Sequence, residues 1–276
     1  MRLRSGLTRL DRALSGAAWT LVLLACVAAL LPVLWIAISA FLPLSSVLQG
    51  RVIPDTLTLE NFERVLARYP VVAAILRSLL VGGVCASAQV LLGLPAAYAL
   101  READPNPRLL PLYVFLMSIP GELLIIPLWG LLRDLGMIET LWALIVPFLV
   151  YPFGVFLMYL GLKRLPKDFF EAAKVDGANT LQLLRHVVAP LLSAEMITAF
   201  ILGFGVAWNM VLFPVVFASQ ERVWTVQIAL REIQIREPGQ WGVIGAAALL
   251  TALPLLILYV LFERRIVAMF QGGVKG

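Results

Sequence analysis

Six long stretches without basic residues constrain this chain more than any other feature of its sequence. They lie near residues 17–42, 78–100, 109–132, 140–162, 191–216 and 240–262, and only the third and the fifth contain an acidic residue. Each can cross a hydrocarbon core of about 30 Å as a helix, which takes about 20 residues. Transmembrane strands would be about 10 residues long and would alternate polar and apolar positions. The sequence therefore predicts an all-α integral membrane protein with six transmembrane helices.

The composition leads to the same class of protein. Of the 276 residues, 61% are hydrophobic and 14% are charged, whereas a soluble domain carries about 25% charged residues. The uncharged run from Ala13 to Gly50 exceeds the apolar core of a signal peptide, which has about 7–15 residues. We therefore predict a retained first transmembrane helix that follows an N-terminal tail, residues 1–16.

The basic residues predict how the chain lies in the membrane. With six spans, 14 of the 22 Lys and Arg residues fall on the side of the two termini and eight on the other side. Because cytoplasmic loops are rich in Lys and Arg, both termini are predicted to be cytoplasmic. The net charge of +5 then reflects membrane topology, and no nucleic-acid partner is expected.

This topology divides the chain into three parts. The six-helix membrane domain covers residues 17–267, with a cytoplasmic loop at 163–190 and an outer loop at 218–239. A cytoplasmic tail, residues 268–276, follows it. Trp129, Trp142 and Trp241 fall near the outer boundary, where aromatic residues concentrate in membrane proteins.

The sequence lacks the usual components of a catalytic or metal site. It contains one histidine, His186, and two cysteines, Cys26 and Cys85, which both lie within predicted spans. This set cannot supply a zinc site, and all six Asp residues lie outside the spans. No phosphate-binding G-x-x-x-x-G-K-[ST] motif occurs. We therefore predict no catalytic residue, no metal and no cofactor bound by this chain.

The loop between the fourth and fifth spans has the pattern of a helical hairpin. Pro166 starts the first helix, predicted over residues 168–176, and Asp168 and Glu171 have the spacing of a capping box. Gly177 supplies a residue that adopts positive φ readily and ends this helix.

A second amphipathic helix follows in the same loop. Asn179 and Gln182 have the capping-box spacing, and Pro190 ends or kinks this helix. Ala172 and Ala173 keep one side of the first helix thin, so that another surface can approach it closely.

The spacing within this hairpin resembles the EAA loop of importer permeases in the ATP-binding cassette superfamily. Glu171, Ala172 and Ala173 are followed by Gly177, and Pro190 comes thirteen residues later. Val187 and Ala189 replace the Ile and Leu of the family's pattern. The resemblance implies a coupling helix seated in a separate ATPase subunit, which binds ATP and Mg. Its contact residues would be Glu171, Ala172, Ala173, Asp176, Gly177 and Pro190.

A narrower resemblance covers nearly the whole chain. The phrases "LTLENFERVL", "AAYALRE", "IPGELLIIPLWGLLRDLGMIET" and "AWNMVLFPVVF" are similar to the carbohydrate-uptake permeases of the maltose and glycerol-3-phosphate type. So is the tail, Gly272, Gly273, Val274, Lys275 and Gly276, which is implied to be a contact segment. The stretch "ERVWTVQIAL" departs from the pattern.

This narrower resemblance implies a set of partners and a location. The chain would be the second permease subunit of an importer for a sugar or a sugar-like solute in a bacterial inner membrane. It would pair with a different permease subunit, two copies of an ATPase and an extracytoplasmic solute-binding protein. The outer loop, residues 218–239, is implied to reach into the binding protein.

Polar residues within the spans are candidates for the solute path. Glu122 lies about midway along the third span, where a charge costs about 2.5–3.5 kcal/mol unless it faces protein or water. It either lines the path or bonds to a partner helix. The other candidates are Gln89, Trp208 and Asn209, for which contacts between helices are the alternative. Glu195 lies near the cytoplasmic interface, and we predict a structural role for it.

Eleven of the 17 prolines lie in or at the ends of the spans, which predicts kinked helices of the kind that enclose a transport path. A secondary transporter or a channel subunit without an ATPase partner is the alternative function. The sequence shows no internal repeat of the kind that many secondary transporters have, and a channel would not need the hairpin.

Overall fold

The computed structural model describes residues 9–43, 45–46, 56–102 and 109–272, and it describes side chains only between residues 18 and 263. These residues form helices and turns, with no strand among them. Four helical segments are long and apolar enough to span a membrane, and two bent helix pairs bring the number to six. The predicted fold class, an all-α membrane protein, is confirmed.

Thirteen helices are used below to locate the residues, and short 3₁₀ turns lie at Gly121–Leu124, Val146–Phe148 and Glu221–Val223. The helices are α1 (Arg9–Ser39), α2 (Glu60–Arg68), α3 (Val71–Glu102), α4 (Leu109–Met117), α5 (Ile125–Asp134), α6 (Trp142–Ile145), α7 (Pro152–Arg164), α8 (Lys167–Val175), α9 (Thr180–Leu191), α10 (Ser193–Trp208), α11 (Leu212–Phe217), α12 (Val226–Arg236) and α13 (Trp241–Gly272).

Besides the interruption of the fourth span between Phe148 and Pro152, two further spans that the sequence predicts as continuous are broken. In the third, α4 ends before Pro120, and the chain bends by 79° before it continues through the turn at Gly121–Leu124 into α5. The residue before a proline is disfavoured in the α conformation, which explains the break. In the fifth, α10 ends at Trp208 and α11 starts at Leu212. The apolar pattern marks both spans but does not reveal these breaks.

The ends of the first and last spans also differ from the prediction. Helix α1 begins at Arg9, so that part of the predicted N-terminal tail is helical, while residues 1–8 lie outside the described residues. Helix α13 continues to Gly272, beyond the predicted boundary at residue 267. The rest of the predicted tail contact, Gly273, Val274, Lys275 and Gly276, lies outside the described residues.

The chain forms two compact units. The first ends at Arg68 and also contains Ile233–Leu250, and the second contains Tyr69–Glu232 and the chain from Thr251.

In the first unit, the buried side chain of Asn61 holds the end of α1. Its Nδ2 donates hydrogen bonds to the carbonyls of Ala40 (3.0 Å) and Leu42 (2.9 Å). Carbonyls at the end of a helix lack intrahelical donors, so Asn61 satisfies groups that α1 leaves open. Gly242 in α13 leaves room for this side chain, because a Cβ at that position would lie 2.6 Å from Asn61 Nδ2.

In the second unit, α3, α7 and α10 pack against one another and form the core. The hairpin contributes to the same core. Its buried members are Leu94, Ala97, Tyr98, Val155, Met158, Tyr159, Leu162, Phe170, Ala173, Leu183, Leu184, Val188, Leu192 and Ala199. The hairpin is therefore fixed to the transmembrane helices by apolar contacts and is not an independent loop.

A buried side-chain amide joins α3 to the broken fourth span. Pro152 has no N–H, so the carbonyl of Phe148 cannot receive the hydrogen bond that a continuous helix would give it. Gln89, which is 4% exposed, donates from Nε2 to this carbonyl (2.9 Å). Its Oε1 is buried without a hydrogen-bond partner among the described residues and faces the position where Gly203 has no side chain. Gln89 is thus a contact between helices.

We expect Gly203→Ala to lower the free energy of unfolding by about 1–3 kcal/mol, the usual cost of overpacking. A Cβ at Gly203 would overlap Gln89 Oε1 and lie 3.8 Å from the α3 backbone at Ala86. The matched control is Gly205→Ala in the same helix, where a Cβ would meet nothing within 4 Å. Denaturant unfolding of the purified protein measures both variants. Equal stability would contradict the close approach of α3 and α10.

Candidate functional site: the hairpin and the 218–239 segment

Helix α8 starts one residue earlier than predicted. Its N-cap is Pro166, which makes no side-chain capping bond, and Lys167 is the first helical residue. Asp168 therefore lies inside the first turn, and the predicted capping box of Asp168 with Glu171 is wrong. Asp168 still lies in the first turn, where the helix dipole favours negative charge.

The turn after α8 is confirmed. Gly177 has φ +77°, and the N–H of Ala178 donates to the carbonyl of Ala173 (3.0 Å) while Gly177 N–H donates to Lys174 (3.1 Å). These bonds satisfy carbonyls at the end of α8, as expected of a glycine-terminated helix. A Cβ at Gly177 would meet nothing within 4 Å, so the backbone conformation alone favours glycine.

The start of α9 is also confirmed. Asn179 Oδ1 accepts from the N–H of Gln182, and Gln182 Oε1 accepts from the N–H of Asn179, both at 2.9 Å. Pro190 lies within the last turn, after a π-helical segment at Leu184–Val188. Because Pro190 has no N–H, the helix cannot continue its regular bonding, and α9 meets α10 at an angle of 84° just beyond it.

Phe170 anchors α8 to the end of α3. Its side chain is 3% exposed and stacks on Tyr98 with ring centres 6.4 Å apart. The guanidinium of Arg101 lies 3.7 Å from the centre of the Phe170 ring. Cation–π contacts of this kind contribute about 0.5–2 kcal/mol. The hairpin is therefore held by a specific aromatic contact in addition to the general apolar packing.

The opposite face of the hairpin is open. Of the residues that the EAA-like spacing singles out, Ala173 is buried, whereas Glu171, Ala172, Asp176, Gly177 and Pro190 are exposed. Large apolar side chains accompany them, since Phe169 is 46%, Val175 86% and Leu181 74% exposed. The hairpin thus combines an anchored face with an exposed face of mixed acidic and apolar character.

The predicted outer loop, residues 218–239, contains a helix. Helix α12 covers eleven of its residues and packs through Ile228 and Ala229 against Ala74 of α3 and Trp224. The sequence analysis did not predict this helix, because the buried face of α12 is set by contacts with a distant helix.

Glu139 fixes the beginning of this segment. Its Oε1 accepts hydrogen bonds from the Ser219 N–H (3.2 Å) and hydroxyl (2.7 Å), and its Oε2 accepts from the Gln220 N–H (2.9 Å). Its own N–H donates to the carbonyl of Phe217 (2.7 Å). Glu139 also has φ +59°, a conformation uncommon for residues other than glycine.

The start of α3 holds the same segment from another side. Arg77 donates to the carbonyls of Glu221 (3.2 Å) and Trp224 (3.4 Å), and Ser78 Oγ accepts from the N–H of Val226 (2.9 Å). Ser78 thereby satisfies a donor that the first residue of α12 leaves open. Residues 219–226 are tied down by side chains from two other parts of the second unit.

The four candidate path residues do not lie on one surface. Gln89 and Trp208 are 4% and 2% exposed, and Trp208 stacks on Phe204 with ring centres 5.5 Å apart. These two residues pack within the second unit. Asn209 is exposed after α10 and accepts a hydrogen bond from Gln227 (3.3 Å). Glu122 is exposed on the 3₁₀ turn inside the broken third span.

The sequence interpretation missed the residues that hold these two regions in place. Phe170, Arg101, Glu139, Arg77 and Ser78 act through contacts distant in sequence, and no local pattern marks such contacts. Arg101 and Glu139 lie within the phrases "AAYALRE" and "GMIET", which carry the family resemblance. That resemblance is the one signal that points to them.

The fold and the exposed hairpin are those expected of a multi-span permease subunit. Residues 89–268 match the family described as the binding-protein-dependent transport system inner membrane component. Because this match covers more than half of the chain, the chain belongs to that family, and the predicted class of protein is confirmed.

Similar proteins of known name extend the comparison over nearly the full length. The trehalose transport system permease protein SugB of Mycobacterium tuberculosis is 33% identical over 257 residues, which cover 90% of this chain and 93% of that protein. The trehalose/maltose transport system permease protein MalG of Thermococcus litoralis is 28% identical over 264 residues, which cover 92% and 94%.

A solved structure supports the fold. A chain from the crystal structure of a bacterial ABC transporter involved in the import of the acidic polysaccharide alginate superimposes with a TM-score of 0.84 at 23% identity. The match covers 94% of this chain and 99% of that chain.

Proposed function

We propose that this chain is the second permease subunit of an ATP-driven importer and that its hairpin seats in a separate ATPase subunit. The observation that carries the proposal is the division of the hairpin into two faces. Phe170 and Ala173 are fixed in the core, while Glu171 and Ala172 are exposed. A helix held by the spans on one side and open on the other can transmit the movement of a bound partner to those spans.

The proposed assembly contains a different permease subunit, two copies of the ATPase that binds ATP and Mg, and an extracytoplasmic solute-binding protein. Both termini and the hairpin lie on the cytoplasmic side of a bacterial inner membrane, and the 218–239 segment lies on the opposite side. The family description, which names binding-protein-dependent transport and the inner membrane, supports the binding-protein partner and the location, and the distribution of Lys and Arg supports the orientation.

The proposed solute is a sugar or a sugar-like compound. SugB and MalG are named for trehalose and maltose transport, and a Streptomyces coelicolor protein 28% identical to this chain is named for diacetylchitobiose uptake. The alternative, a secondary transporter or a channel subunit, would move its solute without an ATPase. Uptake that persists in vesicles lacking the ATPase would favour the alternative.

We expect Glu171→Lys and Ala172→Trp to reduce the amount of ATPase that co-purifies with the chain by about tenfold or more. Glu171→Lys replaces an exposed carboxylate whose charge-assisted bonds contribute about 1.5–3 kcal/mol, and Ala172→Trp fills the space that a cleft would occupy. Gly177→Val strains the turn by about 1–2 kcal/mol and is expected to uncouple hydrolysis from uptake.

Gly177→Asn is the matched control for the turn, because asparagine adopts positive φ more readily than valine. Co-purification, ATP hydrolysis and uptake in vesicles are measured for all four variants. Normal assembly and coupled uptake in Glu171→Lys, Ala172→Trp and Gly177→Val together would refute the role of the hairpin.

The 218–239 segment is proposed to contact the binding protein, and its anchor provides a test. Glu139→Gly removes three hydrogen bonds to a carboxylate, while glycine accepts the positive φ without strain. We expect stimulation of ATP hydrolysis by the binding protein to fall about fivefold or more, with the unstimulated rate unchanged.

The control is Asp134→Ala, which removes an exposed carboxylate outside the segment that accepts hydrogen bonds from the neighbouring Arg133, and it should leave the stimulation unchanged. Deleting residues 228–235 tests the segment as a whole. Undiminished stimulation after the deletion would argue against any contact with the binding protein.

Glu122 is proposed to face the solute path. Its turn interrupts the third span, and irregular backbone at membrane depth occurs where it lines a water-filled cavity or is buried in protein. We expect Glu122→Gln to reduce uptake about tenfold or more and to leave assembly unchanged. This fold-change corresponds to the free energy of one hydrogen bond to a charged group. Weakened assembly with normal uptake per complex would assign Glu122 to a partner helix instead.

A further inference from the structure

A groove of about 520 Å³ lies where the ends of α3 and α7 meet α8. Four basic residues line it, Arg101, Lys163, Lys167 and Lys174, together with the acidic residues Glu102 and Glu171. The formal charge of these six side chains is therefore +2. A cavity of this size and charge is suited to a small anionic group.

Contacts within the second unit position three of the four basic groups. Arg101 lies 3.7 Å from the centre of the Phe170 ring and pairs with Glu102 at 3.0 Å, and its side chain is only 15% exposed. Lys174 lies 3.9 Å from Glu102 and is 60% exposed. Lys163 lies 5.4 Å from the centre of the Tyr159 ring. The groove is thus lined by side chains of three helices, and aromatic rings lie beside two of its basic groups.

The length of α3 places the groove at a definite depth in the membrane. Between Arg77 and Arg101 this helix carries no charged residue, and the 24 steps from one to the other rise about 36 Å at 1.5 Å per residue. That length exceeds a hydrocarbon core of about 30 Å but falls short of the full bilayer of about 40–45 Å. The end of α3, and the groove with it, therefore lies at the level of the lipid headgroups, whichever side of the membrane it faces.

We propose that this groove binds the phosphate of an anionic phospholipid headgroup. Ammonium and guanidinium groups form short, charge-assisted bonds with phosphate oxygens, and a phosphodiester at headgroup depth reaches the groove while its acyl chains remain in the hydrocarbon. The excess of positive charge selects a headgroup with net negative charge over a zwitterionic one. Arg101 and Phe170 line the groove and also hold α8 against α3. A bound lipid therefore stabilises the position of the hairpin.

The proposal does not depend on the chain being an importer subunit. Glu171 lines the groove and is also proposed to contact the ATPase, whereas Lys163 and Lys167 lie outside the residues proposed for that contact, so their variants test the groove. The test uses the chain with the subunits that co-purify with it. Native mass spectrometry follows titration with dioleoyl phosphatidylglycerol, with dioleoyl phosphatidylcholine and with inorganic phosphate. Binding is compared for the wild type, the double variant Lys163→Gln/Lys167→Gln and the charge-conserving double variant Lys163→Arg/Lys167→Arg.

We expect phosphatidylglycerol to bind about 30-fold more weakly to Lys163→Gln/Lys167→Gln, as the loss of two basic residues near an anionic headgroup implies. The arginine variant should retain binding within about threefold, since it keeps both charges. The matched control is Arg164→Gln/Arg185→Gln, which removes two exposed basic residues of α7 and α9 that do not line the groove. It should also bind within about threefold of the wild type.

Three results would overturn the assignment. Equal losses in the groove variant and in the control would attribute binding to diffuse surface charge. Equal binding of phosphatidylcholine and phosphatidylglycerol would show that the net charge of the headgroup does not determine binding. Inorganic phosphate that competes as strongly as the lipid would make the groove a site for a free anion.

Discussion

Inside a membrane, the carbonyl of Phe148 cannot obtain its helical hydrogen bond, because Pro152 has no N–H, and the side chain of Gln89 supplies that bond instead. Water is absent from the hydrocarbon region, so every carbonyl that a proline leaves open needs a partner within the protein. This bond joins the middle of α3 to the broken fourth span. Gly203 completes the contact, since only a residue without a side chain leaves room for the Gln89 amide. The close packing of α3 with its neighbours rests on this arrangement.

Helix α3 carries the contacts that position both candidate functional regions of the second unit. At one end, Arg77 and Ser78 hold residues 219–226 through hydrogen bonds to the backbone. At the other end, Tyr98 and Arg101 hold α8 through the ring of Phe170. One packed helix thus connects the segment proposed to meet the binding protein with the hairpin proposed to meet the ATPase. A movement of either region relative to the core has to break or displace contacts with α3.

The two regions are anchored by different kinds of interaction. The hairpin depends on apolar burial and on the aromatic contact of Phe170 with Tyr98 and Arg101. The 218–239 segment depends on the carboxylate of Glu139, whose three hydrogen bonds require fixed geometry. Arg101 takes part in two features, since it packs on Phe170 and also lines the basic groove. The proposed lipid site is therefore part of the structure that holds the hairpin.

Much of the architecture follows from local sequence. The six apolar stretches predict the spans because burial in lipid depends on residue type and length alone. Asn179 with Gln182 and the glycine at 177 predict the second helix cap and the turn, because both act through neighbouring backbone groups. The predicted capping box of Asp168 with Glu171 does not form. The helix starts directly after Pro166, so Asp168 lies inside its first turn.

The sequence by itself thus determined the class of fold, the place of the hairpin and the resemblance that identifies the family. Only the tertiary structure decided where the spans break, that residues 218–239 contain α12, and that Gln89 and Trp208 are packed inside the second unit. It also decided the roles of Glu139, Phe170 and Arg101. These features depend on contacts between residues far apart in the chain. A local pattern specifies the backbone hydrogen bonds within a turn or a helix. It does not specify which side chains distant in sequence contact that turn or helix.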